Sequence, residues 1–259
     1  MLKEILKNKE KEVEILRKEF GQNTTDKLIM KEKQKGFLKN IIKKVTEEEV
    51  AVIAEIKRHS PSKGYLDKNL DLKLVAEQYE RAGAACISVL TDRDYFKGSI
   101  EDLIYVKKHT TLPILRKDFI IDESQIIESK IIGADCILLI VAALNKEKFK
   151  NLYELSLEFG LDVLVEVHDK SELDVALENN CKLIGINNRD LKTFDVSIQT
   201  SIDLCNLVED KNILLVSESG IMNKKDINIL KEFGIKAFLI GEKLITSVDR
   251  EKELQELIK

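Results

Sequence analysis

Polar and charged side chains close several short apolar segments of this sequence. Glu55 and Lys57 end "AVIAEIK", Lys117 ends "PILRK", Glu166 lies near the end of "DVLVEV", and Asn187 lies near the end of "LIGINN". Burying an unpaired ammonium or carboxylate group is costly, so a core keeps such groups where they pair with each other or bind a ligand. Lysine and glutamate can also deliver and remove protons. The pattern therefore indicates a functional site.

Each of these segments places its polar side chains on a single face. Side chains of a strand alternate between two faces, so Glu55 and Lys57 share a face with Ile53. The same rule gives the faces Leu115/Lys117/Phe119, Leu164/Glu166/His168 and Gly185/Asn187/Arg189. A structural ion-pair network is the alternative interpretation, but stability gives no reason for all these charges to lie at the same end of their strands.

Glycine follows the last two apolar segments, in "SESG" at Gly220 and in "IGEK" at Gly241. Glycine lets backbone N–H groups approach a phosphate closely, and a helix that begins there adds a favourable dipole. Either glycine alone is a common turn signal. The two together, after the last two strands of the repeat, predict a phosphorylated ligand.

Eight apolar segments recur along the chain and alternate with amphipathic stretches, several of which end in glycine. The interval fits one strand and one returning helix, so consecutive strands are expected to be parallel. We predict an α/β fold, a single (β/α)8 barrel domain over 1–259, with an N-terminal helical extension at 1–48 and the barrel at 49–259. The extension shows helical spacing at Ile5, Val13, Ile15, Leu16 and Phe20. A doubly wound open sheet is the alternative.

The composition excludes several function classes. A net charge of -4 argues against sequence-independent nucleic-acid binding, and 5% aromatic residues give little surface for stacking bases. The longest apolar run, "CILLIVAAL", is too short to span a bilayer, and the N-terminus has no signal-peptide core. Four isolated cysteines predict neither metal ligation nor disulfides. We expect a cytoplasmic protein that uses no metal and no cofactor and has no nucleic-acid or membrane partner.

A set of longer motifs resembles the indole-3-glycerol phosphate synthase family over nearly the whole chain. The motifs are "ILKNKEKEVEILRKEF", "IAEIKRHSPSKG", "ISVLTDRDYFKGS", "ILRKDFIID", "GADCILLIVAAL", "LVEVHD", "IGINNRDLKTF", "VSESGI" and "FLIGEKLI". The resemblance implies a carboxy-lyase of tryptophan biosynthesis. It would close the indole ring of 1-(2-carboxyphenylamino)-1-deoxy-D-ribulose 5-phosphate, releasing CO2 and water to give indole-3-glycerol phosphate.

The resemblance also implies roles for individual residues. Lys117 would be the general acid, Glu166 the base during dehydration, and Glu55 and Lys57 part of the catalytic and carboxylate-binding machinery. The division of the acid role between Lys57 and Lys117 stays open. Further catalytic residues implied are Asn187, Glu218 and Ser219. The substrate-binding residues implied are Ser60, Gly220, Gly241 and Glu242 for the phosphate, Phe96 for the anthranilate ring, and Arg189 for carboxylate and sugar hydroxyls.

Two other functions are alternatives to this interpretation. A sugar-phosphate isomerase on a similar barrel would use a Cys and Asp pair at strand ends, and no such pair stands out. A catalytically silent barrel would have lost a motif charge, and none is missing.

We expect a monomer, with a dimer through the charged N-terminal helices as the alternative. His59 is expected to face solvent from a loop, and His168 to make a structural hydrogen bond.

Overall fold

Eight parallel strands close into a barrel in the computed structural model, which describes residues 1–19, 36–191 and 193–259. The (β/α)8 prediction is confirmed, and the open doubly wound sheet is excluded. A short antiparallel hairpin, β2 and β3, lies in the loop after the first barrel strand. The strands are β1 (Ala51–Ile56), β2 (His59–Ser60), β3 (Gly64–Tyr65), β4 (Cys86–Leu90), β5 (Ile114–Lys117), β6 (Cys136–Ile140), β7 (Asp162–Val167), β8 (Leu183–Asn187), β9 (Leu214–Glu218) and β10 (Ala237–Ile240).

The barrel closes where the first strand meets the last. Neighbouring barrel strands follow chain order from β4 to β10, and β1 pairs with both β4 and β10. The closing register places Ala51 opposite Ala237 and Ile53 opposite Cys86. Because every strand runs in the same direction, all carboxyl ends lie at one end of the barrel, here called the mouth.

Helices follow the barrel strands, and most of them begin at a capping side chain. The side chains of Asp71, Ser99 and Asp122 each accept a hydrogen bond from a backbone N–H in the first turn of their helix. The helices after the barrel begins are α3 (Leu72–Ala82), α4 (Ile100–Lys107), α5 (Glu123–Ile131), α6 (Lys146–Glu158), α7 (Lys170–Glu178), α8 (Gln199–Cys205), α9 (Lys224–Glu232), α10 (Glu242–Ile245) and α11 (Arg250–Ile258), with a 3-10 turn at Val141–Ala143.

Apolar side chains fill the barrel interior and the layer between barrel and helices. Ile53, Leu115, Leu164 and Val216 pack together inside the barrel. Their strand neighbours, such as Val52, pack outward against the helices. The alternation read from the sequence is therefore observed, and it aims the polar ends of the inward faces into the mouth.

Two of the described helices precede the barrel and cover opposite ends of it. Helix α2 (Phe37–Glu48) closes the amino end, where Phe37 and Ile41 are fully buried in the interior cluster. Helix α1 (Leu2–Glu19) lies at the mouth, with Ile5 and Val13 buried. Ile15, which the spacing had grouped with them, is 61% exposed. Phe20 lies outside the described residues.

The four cysteines are buried and unpaired, as predicted from their isolated positions. Of the helices that the structure describes, none has the length and apolar character needed to cross a bilayer.

Candidate active site

The predicted site residues surround two adjoining clefts at the mouth of the barrel. The main cleft is lined by Glu55, Lys57, Ser60, Phe96, Lys117, Glu166, Asn187, Arg189, Glu218, Ser219 and Glu242, together with apolar side chains. The adjoining cleft shares several of these residues and adds Lys63, Gly220, Gly241 and Lys243. The structure thus gathers residues from strands that are far apart in the sequence.

Lys117 lies between two carboxyl groups at the base of the main cleft. Its Nζ atom is 3.0 Å from Glu166 Oε2 and 3.5 Å from Glu218 Oε2. Burial opposes the charge on Lys117, but Glu166, Glu218 and Glu55 more than offset it and raise the pKa of the lysine above its usual value. The side chain is therefore held as an ammonium group, the protonated form from which a general acid acts.

The two carboxyl groups beside Lys117 differ in their proton affinity. Burial raises the pKa of Glu218 to about 8; Lys117 opposes that shift, while Glu166 and Glu55 add to it. Burial also acts on Glu166, but there Lys117 and His168 outweigh it and lower the pKa below the usual range. Glu218 is therefore the more readily protonated of the two carboxyl groups and Glu166 the more readily ionised, so one can donate a proton and the other can accept one.

Glu55 and Lys57 form a second ion pair on the first strand. Lys57 Nζ is 2.7 Å from Glu55 Oε1, and the Glu55 side chain is almost fully buried. Glycine makes room for this carboxylate, because a Cβ atom on Gly241 would lie 2.5 Å from Glu55 Oε1. The pair lines both clefts and so lies where the two adjoin.

A second glycine makes room for Glu218. Gly185 lies on the inward face of β8, and a Cβ atom there would lie 2.0 Å from Glu218 Oε1. That oxygen is buried and has no hydrogen-bond partner among the described residues. This carboxyl group can therefore occupy its position only because residue 185 on the neighbouring strand is glycine.

Asn187 and Ser219 are joined across the ends of β8 and β9. Ser219 Oγ donates to Asn187 Oδ1 at 2.9 Å, and the same oxygen accepts the Arg189 backbone N–H at 3.1 Å. Ser219 has a φ of 65°, a left-handed conformation that a non-glycine residue rarely adopts. Asn188 helps to hold it, because its side-chain amide donates to the Ser219 carbonyl at 3.0 Å.

The adjoining cleft collects backbone and cationic groups. Gly220 has a φ of 80°, and Gly241 precedes the short helix α10. Lys63 approaches Glu242 Oε1 at 3.5 Å, and its backbone N–H donates to Ser60 Oγ at 3.3 Å. Exposed backbone groups beside lysine side chains suit an anionic ligand.

The remainder of the main cleft is apolar. The rings of Phe96 and Phe119 lie 6.2 Å apart between centroids. Their neighbours in the lining include Leu2, Ile5, Leu138, Ile140, Leu191 and Phe194. An aromatic group of a ligand would make apolar contacts here that the charged bottom of the cleft does not offer.

Sequence reasoning missed the part that helix α1 plays at the mouth. Met1, Leu2 and Ile5 line the main cleft, and Lys9 is almost fully buried. Lys9 Nζ lies 2.9 Å from Asp118 Oδ1 and 3.1 Å from Asp92 Oδ2. The spacing held a signal, because Lys9 comes four residues after Ile5 and four before Val13, on the same helical face.

The histidines differ from one another. His59, expected to face solvent, is half-buried; its Nδ1 lies 2.6 Å from the Tyr95 carbonyl oxygen and its ring meets Tyr65 edge-on. This correction follows from the β2–β3 hairpin, which folds the loop back on itself. His168 lies beside the site, with Nδ1 3.0 Å from Glu172 Oε2 and Nε2 3.3 Å from Glu166 Oε1.

The chain matches the family model described as indole-3-glycerol phosphate synthase over residues 2–257. Among curated proteins, the indole-3-glycerol phosphate synthase of Thermoanaerobacter pseudethanolicus is 44% identical over 259 residues, covering 100% of this chain and 97% of that protein. The protein of the same name from Polynucleobacter asymbioticus is 47% identical over 225 residues, covering 87% of this chain and 84% of that protein.

Solved structures support the fold. Tryptophan synthase subunit alpha from Legionella pneumophila superposes with a TM-score of 0.63 at 12% identity, covering 86% of this chain and 96% of that chain. Thiamine phosphate pyrophosphorylase from Pyrococcus furiosus gives a TM-score of 0.59 at 13% identity, covering 81% of this chain and 94% of that chain. At these identities the likeness concerns the barrel alone.

Proposed function

Since the chain belongs to the indole-3-glycerol phosphate synthase family, we propose that its barrel mouth divides the family reaction among the residues described above. The enzyme is a carboxy-lyase of tryptophan biosynthesis that closes the indole ring of a carboxyphenylamino-deoxyribulose phosphate. We expect it to act in the cytoplasm without metal or cofactor. The roles of the individual residues are our assignment.

The two clefts fit the two ends of such a substrate. In this assignment the aromatic ring lies in the apolar part of the main cleft, against Phe96. The phosphate lies in the adjoining cleft, bound by Ser60, Gly220, Gly241 and the backbone N–H of Glu242. The ribulose carbons then lie along the bottom of the main cleft, where Lys117 Nζ is 3.0 Å from Glu166 Oε2.

Ring closure begins with proton donation by Lys117. The aromatic carbon that carries the carboxylate attacks the ketone carbon, and the Lys117 ammonium protonates the developing alkoxide. The carbon–carbon bond to the carboxylate then breaks, and its electron pair restores the aromatic ring as CO2 departs. Lys57 and Arg189 bind the benzoate carboxylate before this step, which keeps Lys57 paired with an anion and assigns the acid role to Lys117.

Dehydration completes the indole. The new hydroxyl group leaves as water after protonation, assisted by electrons from the ring nitrogen. Glu166 removes a proton from the methylene carbon beside the nitrogen, and the double bond of indole forms. Glu218, whose pKa is raised by burial, can supply the proton for the departing hydroxyl. Asn187 and Ser219 hold the sugar hydroxyls in this arrangement.

One observation supports this assignment above the others. A buried lysine contacts two buried carboxyl groups whose pKa values have moved in opposite directions. Such a set can donate and accept protons within one cleft without any other group.

The test measures indole fluorescence when the purified protein meets the carboxyphenylamino-deoxyribulose phosphate. We expect turnover by the unchanged protein and a loss of about 100-fold or more in Lys117→Gln, because a positioned general acid contributes about that much. Lys146→Gln, on the exposed surface of α6, is the matched control. Full activity in Lys117→Gln would contradict the acid role, and no turnover by the unchanged protein would contradict the function itself.

A further inference from the structure

His168 follows β7 and contacts the proposed base from the side away from Lys117. Glu166 Oε2 faces Lys117 Nζ at 3.0 Å, whereas Glu166 Oε1 faces His168 Nε2 at 3.3 Å. The carboxylate therefore lies between two cationic groups, one on each oxygen. The mechanism above uses only the first of them.

Glu172 fixes the orientation of the imidazole ring. It lies in the first turn of α7, where Asp169 caps the helix, and its Oε2 accepts the His168 backbone N–H at 2.8 Å. The same oxygen lies 3.0 Å from His168 Nδ1. Nδ1 therefore carries a proton that points at Glu172, and Nε2 is directed toward Glu166.

The Nε2 atom is not otherwise engaged. It is buried and has no partner in hydrogen-bond geometry among the described residues. Nε2 and Glu166 Oε1 therefore form a charge contact without hydrogen-bond geometry. A small rotation of either side chain would convert it to a hydrogen bond.

We propose that His168 and Glu172 are positioning residues that keep Glu166 ionised and correctly oriented while Lys117 gives up its proton. This inference rests on the proposed function, because it concerns the base of that reaction. Once Lys117 has protonated the substrate, Lys117 is neutral, and Glu166 no longer has a cation beside its Oε2 atom. The imidazolium then remains as the cation beside the carboxylate until the carboxylate accepts its own proton.

The charges around His168 support its cationic form. Burial opposes that form, but Glu166 and Glu172 outweigh it and raise the pKa of His168 to about 10. Asp169 lies next to it in sequence and interacts with its charge. The other groups that act on Glu166 and its neighbourhood are Lys117 from β5, Glu218 from β9 and Glu55 from β1.

The sign of the expected pH effect follows from these charges. An opposite charge close to a carboxylate lowers its pKa by about 1 to 3 units, so removing the imidazolium raises the pKa of Glu166. A base must be deprotonated to act, and the acidic limb of the pH profile reports that deprotonation. The limb must therefore move to higher pH when His168 is replaced.

The experiment compares kcat/KM against pH for three variants and a control. His168→Asn keeps a donor near Glu172 and removes the group that faces Glu166. We expect its acidic limb to move up by about one pH unit or more, so that kcat/KM falls about 10-fold per unit of movement on the acidic limb and the loss shrinks as pH rises toward neutral. Glu172→Gln should move the limb in the same direction by less. His168→Gln, whose amide can occupy the Nε2 position, should restore part of kcat without the charge.

Asp174→Asn is the matched control, since Asp174 pairs with Lys170 on the exposed face of the same helix. A uniform loss of activity at every pH in His168→Asn, with no movement of the limb, would overturn the proposal, because that is the behaviour of a merely structural contact. If the unchanged protein has no activity, the proposed function fails instead, and the two failures are distinguishable.

A second readout needs no substrate. The chain has three histidines, so the imidazole nitrogen signals can be assigned by replacing each in turn. We expect His168 to stay charged at pH 8 and to titrate at lower pH in Glu172→Gln. A neutral His168 at pH 7 would overturn the proposal even if the variants lose activity.

Discussion

At the scale of single residues, the site depends on two glycines, whose lack of a side chain leaves room for charged groups. Gly185 and Gly241 lie beside Glu218 and Glu55, at distances where no Cβ atom fits. Both carboxyl groups are buried, so neither can move into solvent to relieve a clash. The two glycines consequently fix the space in which the charged groups meet.

Gly185→Ala tests this dependence. The new methyl group would overlap Glu218 Oε1, displace the carboxyl group and break its contact with Lys117, so we expect kcat to fall by about 100-fold. We also expect a lower melting temperature, as overpacking costs about 1 to 3 kcal/mol. Thermal unfolding and steady-state kinetics measure the two effects.

The double variant Gly185→Ala/Glu218→Ala is the control for the clash. The double variant should lose less stability than the sum of the losses in the two single variants, because shortening Glu218 relieves the overlap. Additive losses of stability would show that the methyl group acts elsewhere.

Strand alternation was enough to predict the inward direction of Glu55, Lys117 and Glu166 from the sequence. It could not predict the need for glycine at position 185 or the amide network of Asn188. Those features depend on which strands become neighbours and at what register, and residue spacing within one strand carries no such information.

At the scale of elements, helix α1 is attached to the mouth by a buried ammonium group. Lys9 contacts Asp92, Asp118 and Glu12, and these carboxylates raise its pKa although burial opposes the charge. Asp118 directly follows Lys117, and Asp92 lies in the loop after β4. The helix is thereby joined to the segment that carries the proposed acid.

Lys9→Met should weaken that attachment. Breaking a buried ion pair by removing one partner costs about 3 to 5 kcal/mol, so the bare carboxylates favour separation of the helix from the barrel. We expect faster trypsin cleavage within α1, at sites such as Arg17, and a raised KM because Ile5 no longer lines the cleft. Mass spectrometry of the fragments identifies the cut.

Lys7→Met is the matched control, since Lys7 lies on the exposed side of the same helix. Equal cleavage rates in the two variants would contradict the role given to Lys9.

The sequence predicted the type and order of the barrel elements well, because strand and helix periods differ and most of the helices between strands begin at a capping side chain. It did not predict that α1 and α2 cover opposite ends of the barrel. Helical periodicity shows which face of a helix is buried, but the surface that covers that face is set by tertiary packing.

At the scale of the whole molecule, the described residues of one chain form both clefts. We propose that catalysis needs no second copy. We expect the specific activity to stay constant when the protein is diluted from micromolar to nanomolar concentration. Light scattering should give a mass near 29.6 kDa, in keeping with the monomer predicted from the sequence. Activity that falls on dilution would contradict this expectation and favour a dimer.

The seam of the barrel affects how the protein is made. β1 completes its pairing only with β10, and Glu55 on β1 fits beside Gly241 just after β10. On the ribosome β1 emerges well before β10, so a nascent chain carries the proposed acid and base before the last strand that lines their cleft. Such a chain cannot bind substrate in the complete site, and catalytic competence arrives only when the final strand leaves the exit tunnel and closes the ring.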